Sequence, residues 1–220
     1  MKNKNPHIII EGSMQYSLGE LKNNQILYNF DKILIYLNVK GKLLFGNKFK
    51  IYDEDYEVVF KLCNYFIKEA ENCKKLNIDM GKGLLLIGPV GCGKTSLLKL
   101  LQYITPLKRH YKVIPARNIV FAFNHTGYST IEHFGNNNSY CFDDLGVEPS
   151  GRYFGTDCNV LGEILLSRYD SFLNHKMITH ASTNLNAQEL EEKYGNRVRS
   201  RMRQLFNLIA FDKESVDKRK

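Results

Sequence analysis

No apolar run in this 220-residue sequence approaches the ~20 residues needed to span a bilayer. The start, Met1-Lys2-Asn3-Lys4-Asn5-Pro6, is basic, but only His7 to Ile10 follow before Glu11, too short for a signal-peptide core. A cytosolic protein is expected. The five cysteines (Cys63, Cys73, Cys92, Cys141, Cys158) are odd in number and widely spread, and none forms a C-x-x-C pair. Neither a zinc site nor a disulfide framework is indicated. The six histidines show no metal-ligand spacing, and no internal repeat is visible. Acidic residues are the minority charge: 23 Asp and Glu against 31 Lys and Arg give a net +8. That balance favours polyanionic partners, nucleic acid or an acidic protein surface. The hydrophobic fraction of 43% and the length fit one soluble domain with a small appendage.

Gly88-Pro89-Val90-Gly91-Cys92-Gly93-Lys94-Thr95 organises the rest. It follows the apolar run Leu84-Leu85-Leu86-Ile87 and opens a segment of helical period. Strand, glycine-rich turn and helix start form the context of a phosphate-binding P-loop. The glycines let backbone N–H groups turn inward around phosphate oxygens. The start of the next helix, through Ser96, adds unpaired donors and a partial positive charge. Lys94 can reach the β- and γ-phosphates of a bound nucleotide, and the Thr95 hydroxyl can ligate Mg²⁺. Donors near Cys92 could lower its pKa and make it reactive. The plainer reading is a small residue at a variable loop position.

Along the chain, residues 1–25 read as a loose polar arm with one short strand at His7–Ile10. Residues 26–51 form a small accessory segment, helix or strand, with Gly41 as a breaker. A helix is expected from Asp53, its cap, to Lys75, with Val59, Leu62, Cys63, Phe66, Ile67 and Ala70 on one face. The P-loop helix runs from Gly93 to Ile104, with Pro106 beyond it. Lys112–Ala116 reads as a strand, Asn118–Phe123 and Tyr128–Phe134 as short helices, and 135–138 as a polar turn. Tyr140-Cys141-Phe142 is a strand ending in Asp143-Asp144. Gly146–Gly155 is a loop. Thr156 or Asp157 caps a helix to about Leu173. Met177–Ala181 is a strand ending in Ser182-Thr183-Asn184. A helix from Asn186 to Tyr194, broken at Gly195, is followed by another over Asn196–Phe206 and a last strand at Asn207–Phe211. Strands alternating with helices from Leu84 onward indicate an α/β parallel sheet with helices on both faces. The expected division is 1–52 (arm and accessory segment), 53–212 (core) and 213–220 (polar basic tail).

Three further stations narrow the chemistry. Asp143 and Asp144 end a buried strand, where open parallel sheets bind ligands. One acid can hold Mg²⁺ through water, and its neighbour can orient or deprotonate an attacking water. The bland reading is a helix cap. Asn184 offers a neutral amide to the γ-phosphate or the attacking water, though Ser, Thr and Asn also cap helices. On the late helix, Arg197 and Arg201 flank one side of an apolar face made by Val198, Met202 and Leu205, and Arg199 and Arg203 flank the other. For Arg199 and Arg203 a solvated basic face, or DNA contact, suffices. Arg197 and Arg201 can serve a neighbouring subunit's γ-phosphate.

The P-loop, Asp143-Asp144-Leu145-Gly146, Ser182-Thr183-Asn184-Leu185 and Tyr194-Gly195-Asn196-Arg197-Val198-Arg199-Ser200-Arg201-Met202 together resemble the AAA+ ATPases of the DnaC/IstB helicase-loader and transposition-helper group. The resemblance covers about Gly81 to Asp212. It implies a P-loop NTPase fold of AAA+ type and an ATPase that uses ATP and Mg²⁺. Asp143 would be the Mg²⁺-associated acid, Asp144 the catalytic acid and Asn184 the sensor. Arg201, with Arg197 beside it, would be the finger reaching across a subunit interface. It further implies DNA, a replicative helicase or a transposase, and copies of the chain itself as partners, with no membrane. Two departures stand out. The family usually has Glu where this chain has Asp144, so hydrolysis should be slow or, in an ATP-binding adaptor, negligible. The nine residues after the last strand leave no room for a C-terminal helical lid.

Overall fold

A computed structural model describes residues 5–23, 25–105, 110–136 and 138–219. The expectations for residues 1–4 and 24 of the arm, for Pro106, for Asn137 in the polar turn and for Lys220 lie outside the described residues. The described residues fall into two compact units. Those within Met1–Ile78 and Ser96–His110 form one, and those within Asp79–Thr95 and Tyr111–Lys220 form the other.

The first unit holds two antiparallel hairpins, β1 (Ile8–Glu11) with β2 (Met14–Ser17) and β3 (Gly19–Lys22) with β4 (Gln25–Tyr28). The expected loose arm is therefore ordered sheet, of which only the first strand was foreseen. Its side chains are mostly half-buried or exposed and alternate regularly only in β4, a weak periodic signal. α1 (Phe30–Phe45) follows, capped by the Asn29 side chain. Gly41 does not break it. The Phe49 ring lies where a Cβ on Gly41 would be, so the glycine admits a close aromatic contact from a residue eight positions later. The helix expected over 53–75 is two helices, α2 (Tyr56–Ile67) and α3 (Ala70–Lys75). Lys68 adopts φ 60° and closes α2 with its own N–H on the Asn64 and Tyr65 carbonyls, while the Glu69 side chain caps α3. Asp53 starts a short 3-10 turn rather than capping α2.

The second unit is built on one sheet. Its strands are β5 (Gly83–Ile87), β6 (Lys112–Pro115), β7 (Tyr140–Leu145), β10 (Thr179–Thr183) and β11 (Phe206–Ala210), in the order β11-β5-β10-β7-β6 and parallel throughout. Leu84 and Leu86 are fully buried, each contributing about 1.5–3 kcal/mol, and a strand covered on both faces reads as a continuous apolar run. Its helices are α5 (Ala116–Thr126), α6 (Tyr128–Gly135), α7 (Val160–His175) and α8 (Ala187–Leu205), while α4 (Lys94–Leu100) starts after β5 and from Ser96 onward belongs to the first unit. α8 opens with a capping box between Asn186 and Glu189 and kinks at Gly195, where φ is 83°, the break expected there. The stretch read as a loop after β7 contains a hairpin, β8 (Gly151–Tyr153) with β9 (Thr156–Cys158). α7 is capped by Asn159, which accepts from the Gly162 N–H, rather than by Thr156 or Asp157.

The core on one side of this sheet joins Phe142, Leu145, Ile164, Leu165, Val198 and Met202. Arg168 is wholly buried in it and is structural. Its Nε donates to the Thr179 hydroxyl at 2.7 Å, and the guanidinium also donates to the carbonyls of Asn136 and Asn138. Burial lowers its pKa to about 10. No helix among the described residues is long and apolar enough to cross a membrane.

Candidate active site

β5 runs between β11 and β10, so the loop at its C-terminal end, Gly88–Lys94, opens at the sheet edge where β10 and β7 also end. Gly91 and Gly93 take φ 84° and 105°, values that only glycine adopts without strain. Lys94 starts α4 and turns back into the loop. It is 5% exposed, and its Nζ donates to the carbonyls of Gly88 and Pro89 at 2.8 Å each and to Asn184 Oδ1 at 2.6 Å, with the Cys92 sulfur at 3.8 Å. All four partners are neutral. None of these hydrogen-bond partners is a carboxylate, although the Asp144 charge acts on Lys94 from nearby, and an anion in the loop would add a direct partner for the buried ammonium.

The acids lie two strands away from the loop, and β10 bridges the gap. The Ser182 hydroxyl donates to Asp143 at 2.6 Å, and the Thr95 hydroxyl donates to both Asp143 carboxylate oxygens at 2.9 and 3.0 Å. This pair of hard oxygen donors, beside a phosphate pocket, suits Mg²⁺, which takes one or two protein oxygens together with phosphate and water. Among the described residues no group of three or more His, Cys, Asp or Glu could hold a metal ion. Thr95 and Asp143 would hold Mg²⁺, and the ion would neutralise phosphate charge.

Asp144 has an unusual backbone. Its φ is 57°, a left-handed conformation costing a non-glycine residue roughly 1–2 kcal/mol. The cause is in the register. Ala181 pairs with Phe142 but Thr183 pairs with Leu145, so β7 holds one extra residue there. Such a bulge re-aims side chains at sites, and the Ser182 hydroxyl fixes it by accepting the Asp144 N–H at 2.9 Å. Burial, then the adjacent Asp143 charge, push the Asp144 carboxyl above the usual range, while Lys94, Arg219 and Arg117 oppose the shift. A carboxylate inclined to take a proton, next to a cation-binding one, can act as general base.

Lys94, Thr95, Asp143, Asp144 and Asn184 are thus brought together. Gly88 through Gly93 form the loop and Ser96 lies in the first turn of α4. Cys92 is buried, and burial pushes its thiol up despite the nearby Lys94, so the inert small residue, not the activated thiol, is what the loop contains.

The arginines are elsewhere. α8 feeds β11, whose first residue pairs with Gly83 at the start of β5, and Lys82 reaches the Arg203 carbonyl. The last turns of α8 therefore lie at the sheet edge opposite the loop, about 17 Å away along a five-residue strand. Val198, Met202 and Leu205 are buried as expected, and Arg197 is exposed. Arg201 lies over the Tyr169 ring at 4.5 Å. Arg199 is half-buried, its Nε without a partner, and burial followed by the Arg203 charge lowers its pKa. It is not the freely solvated side chain expected from the helical flank. Within one chain none of these arginines joins the loop.

Sequence reading missed three contributors. Glu148, 3% exposed, accepts from the Gly146 N–H at 2.8 Å and the Tyr194 hydroxyl at 2.7 Å, and Lys193 donates to its carbonyl. It pins the chain leaving Asp144 to α8, and burial, then its charge, push the Tyr194 phenol up. Arg117 and Arg219 reach the site only as charges acting on Asp144. No spacing links any of them to the P-loop.

Comparison with solved structures gives a fold. The crystal structure of the DnaC helicase loader superposes with a TM-score of 0.53 at 18% identity, covering 74% of this chain and 92% of that one. DnaI gives 0.54 at 22%, covering 74% and 88%. AMPPCP-bound DnaA from Aquifex aeolicus gives 0.50 at 20%, covering 74% and 48%. This chain has the P-loop AAA+ fold. The strand order places Gly88–Lys94 at the end of an inner strand, with Asn184 just after β10 and Asp143 on β7. No family model and no curated protein sequence matches the chain.

Proposed function

We propose that the protein is an AAA+ ATPase that binds Mg²⁺·ATP at Gly88–Ser96 and uses the nucleotide to load or remodel a replication protein on DNA. The observation that carries this reading is the buried Lys94, surrounded by neutral acceptors at the mouth of the loop and bonded to Asn184. A γ-phosphate would draw Lys94 from Asn184, freeing the amide to contact phosphate or water. Asp143 and Thr95 would hold Mg²⁺, and Asp144 would take the proton of the attacking water. Arg201 and Arg197 would act on the site of a neighbouring copy, because neither hydrogen-bonds to the loop of its own chain: Arg197 is exposed and Arg201 lies over the Tyr169 ring. ATP between copies would favour an assembled, DNA-bound state, and hydrolysis would release it.

The helicase as partner is supported by the loader fold and by nothing more specific. The net charge of +8 supports DNA. An adaptor that hydrolyses ATP negligibly is a second reading, favoured by Asp144, which is a methylene shorter than Glu and sits in a strained backbone. Titration of the wild-type protein with a fluorescent ATP analogue, followed by turnover with and without DNA, tests both. Absence of nucleotide binding overturns the ATPase reading. Tight binding with DNA-independent, near-zero turnover that rises sharply in Asp144→Glu selects the adaptor.

A further inference from the structure

The segment after β11 returns to the phosphate loop. Phe211 donates its N–H to the Ile87 carbonyl at 2.8 Å, and its Cβ lies with the Cys92 sulfur where a side chain on Gly88 would go. Asp212 turns the chain by accepting the Glu214 N–H. Asp217 then packs so closely on Gly91 that any side chain there would collide with it. Finally Lys218 grips the loop twice. Its N–H donates to the Gly91 carbonyl at 3.1 Å, and its Nζ donates to the Cys92 carbonyl at 3.1 Å and the Ser215 hydroxyl at 3.5 Å. The ammonium also lies 5.8 Å from the Phe211 ring centroid.

Two lysines therefore hold the carbonyls of one loop. Lys94 takes those of Gly88 and Pro89, and Lys218 takes those of Gly91 and Cys92. Across a trans peptide the C=O and the following N–H point in opposite directions. Fixing the Cys92 carbonyl outward on Lys218 therefore turns the Gly93 N–H to the opposite side. The Cys92 N–H is already used, at 3.5 Å, on the Pro89 carbonyl. When an anion draws Lys94 away, the first two carbonyls lose their partner, and the contacts through Lys218 remain to keep the loop's shape.

We propose that the Lys218 side chain positions the loop for phosphate binding: by holding the Cys92 carbonyl with its ammonium, next to the Gly91 carbonyl that accepts its main-chain N–H, it aims the Gly93 N–H at the phosphate. The segment Asp212–Arg219 is on this account part of the nucleotide site rather than a solvated tail. The assignment rests on the proposed nucleotide binding, and its test has a readout that does not.

That readout is Cys92, which is 1% exposed beneath Phe211 and Lys218. Without nucleotide, at mildly alkaline pH, iodoacetamide labelling of Cys92 is followed by peptide mass mapping, with half-buried Cys158 as internal reference. In Lys218→Met the labelling rate at Cys92 should rise several-fold. The dissociation constant for a fluorescent ATP analogue should rise about tenfold, the effect of one charge-assisted hydrogen bond. Lys218→Arg, which keeps a donor cation, should restore both. If Lys218→Met labels Cys92 at the wild-type rate, Lys218 does not hold the loop and the proposal fails, whatever the affinity. If wild type binds no nucleotide, the ATPase reading fails, and the Cys92 rates still decide whether Lys218 holds the loop.

Discussion

The two ends of the same sheet carry opposite arrangements of charge. At the edge where β5, β7 and β10 end, most of the charged and polar groups are paired: Lys94 on Asn184, Thr95 and Ser182 on Asp143, Glu148 on Tyr194. On α8, which ends at the opposite edge, four arginines lie within seven residues, and among the described residues none forms an ion pair with a carboxylate. Arg201 makes do with the Tyr169 ring, and the Arg199 Nε has no acceptor. One end joins Lys94 with the carboxylates of Asp143 and Asp144. The other end carries cations without carboxylate partners. On the proposed reading, a neighbouring copy would bring the two together.

The largest expected effect breaks the first end. Lys94→Ala should weaken ATP binding at least about a hundredfold, since it removes the cation of a charge-assisted phosphate contact. Wild-type affinity in that variant, measured by fluorescent-nucleotide titration, would remove the P-loop assignment. Next, Arg201→Ala combined with Arg197→Ala should leave that affinity within about threefold while lowering stimulated turnover about 10³-fold. Equal losses of binding and turnover would place these arginines in a different role. A smaller effect concerns the clamp between the ends. Tyr194→Phe strips a hydrogen bond from buried Glu148 and should lower the thermal midpoint by about 2–8 °C, from a loss of about 1–2 kcal/mol. No shift in a melting scan would mean that water replaces the phenol. The smallest effect is a gain. Asp144→Asn removes one of two adjacent carboxylates and tolerates the left-handed backbone better, so the midpoint should rise by about 1–3 °C as turnover is lost. A lower midpoint would show that Asp144 is held by its charge rather than in spite of it.

What was legible in the sequence was whatever is local. Gly88–Thr95 carries strand, turn and helix start within a dozen residues, and the chemistry needs those residues in that order. Asp143-Asp144 at the end of Tyr140–Phe142 was legible for the same reason. The bulge that turns Asp144 was not, because it is a relation between β7 and β10, whose residues lie about forty apart in sequence. The hairpins before α1 were missed because half-exposed strands carry little periodic signal. Gly41 misled because its reason is Phe49. Glu148 and Lys218 were invisible in a stronger sense: a lone acid in a loop and a lysine in a polar tail look like solvated charge until the fold brings Tyr194 and the Gly91–Cys92 carbonyls to them.

The central claim is that one chain holds only part of the catalytic machinery, and a mixing experiment tests it most directly. Asp144→Asn supplies intact arginines with a dead pocket, and the Arg197→Ala, Arg201→Ala double variant supplies an intact pocket without arginines. Each alone should hydrolyse ATP at background in the presence of DNA. Mixed in equal amounts they should turn over well above the sum of the two, because some interfaces pair a live pocket with live arginines. A mixture no faster than that sum, or full turnover by the arginine variant alone, would contradict the account.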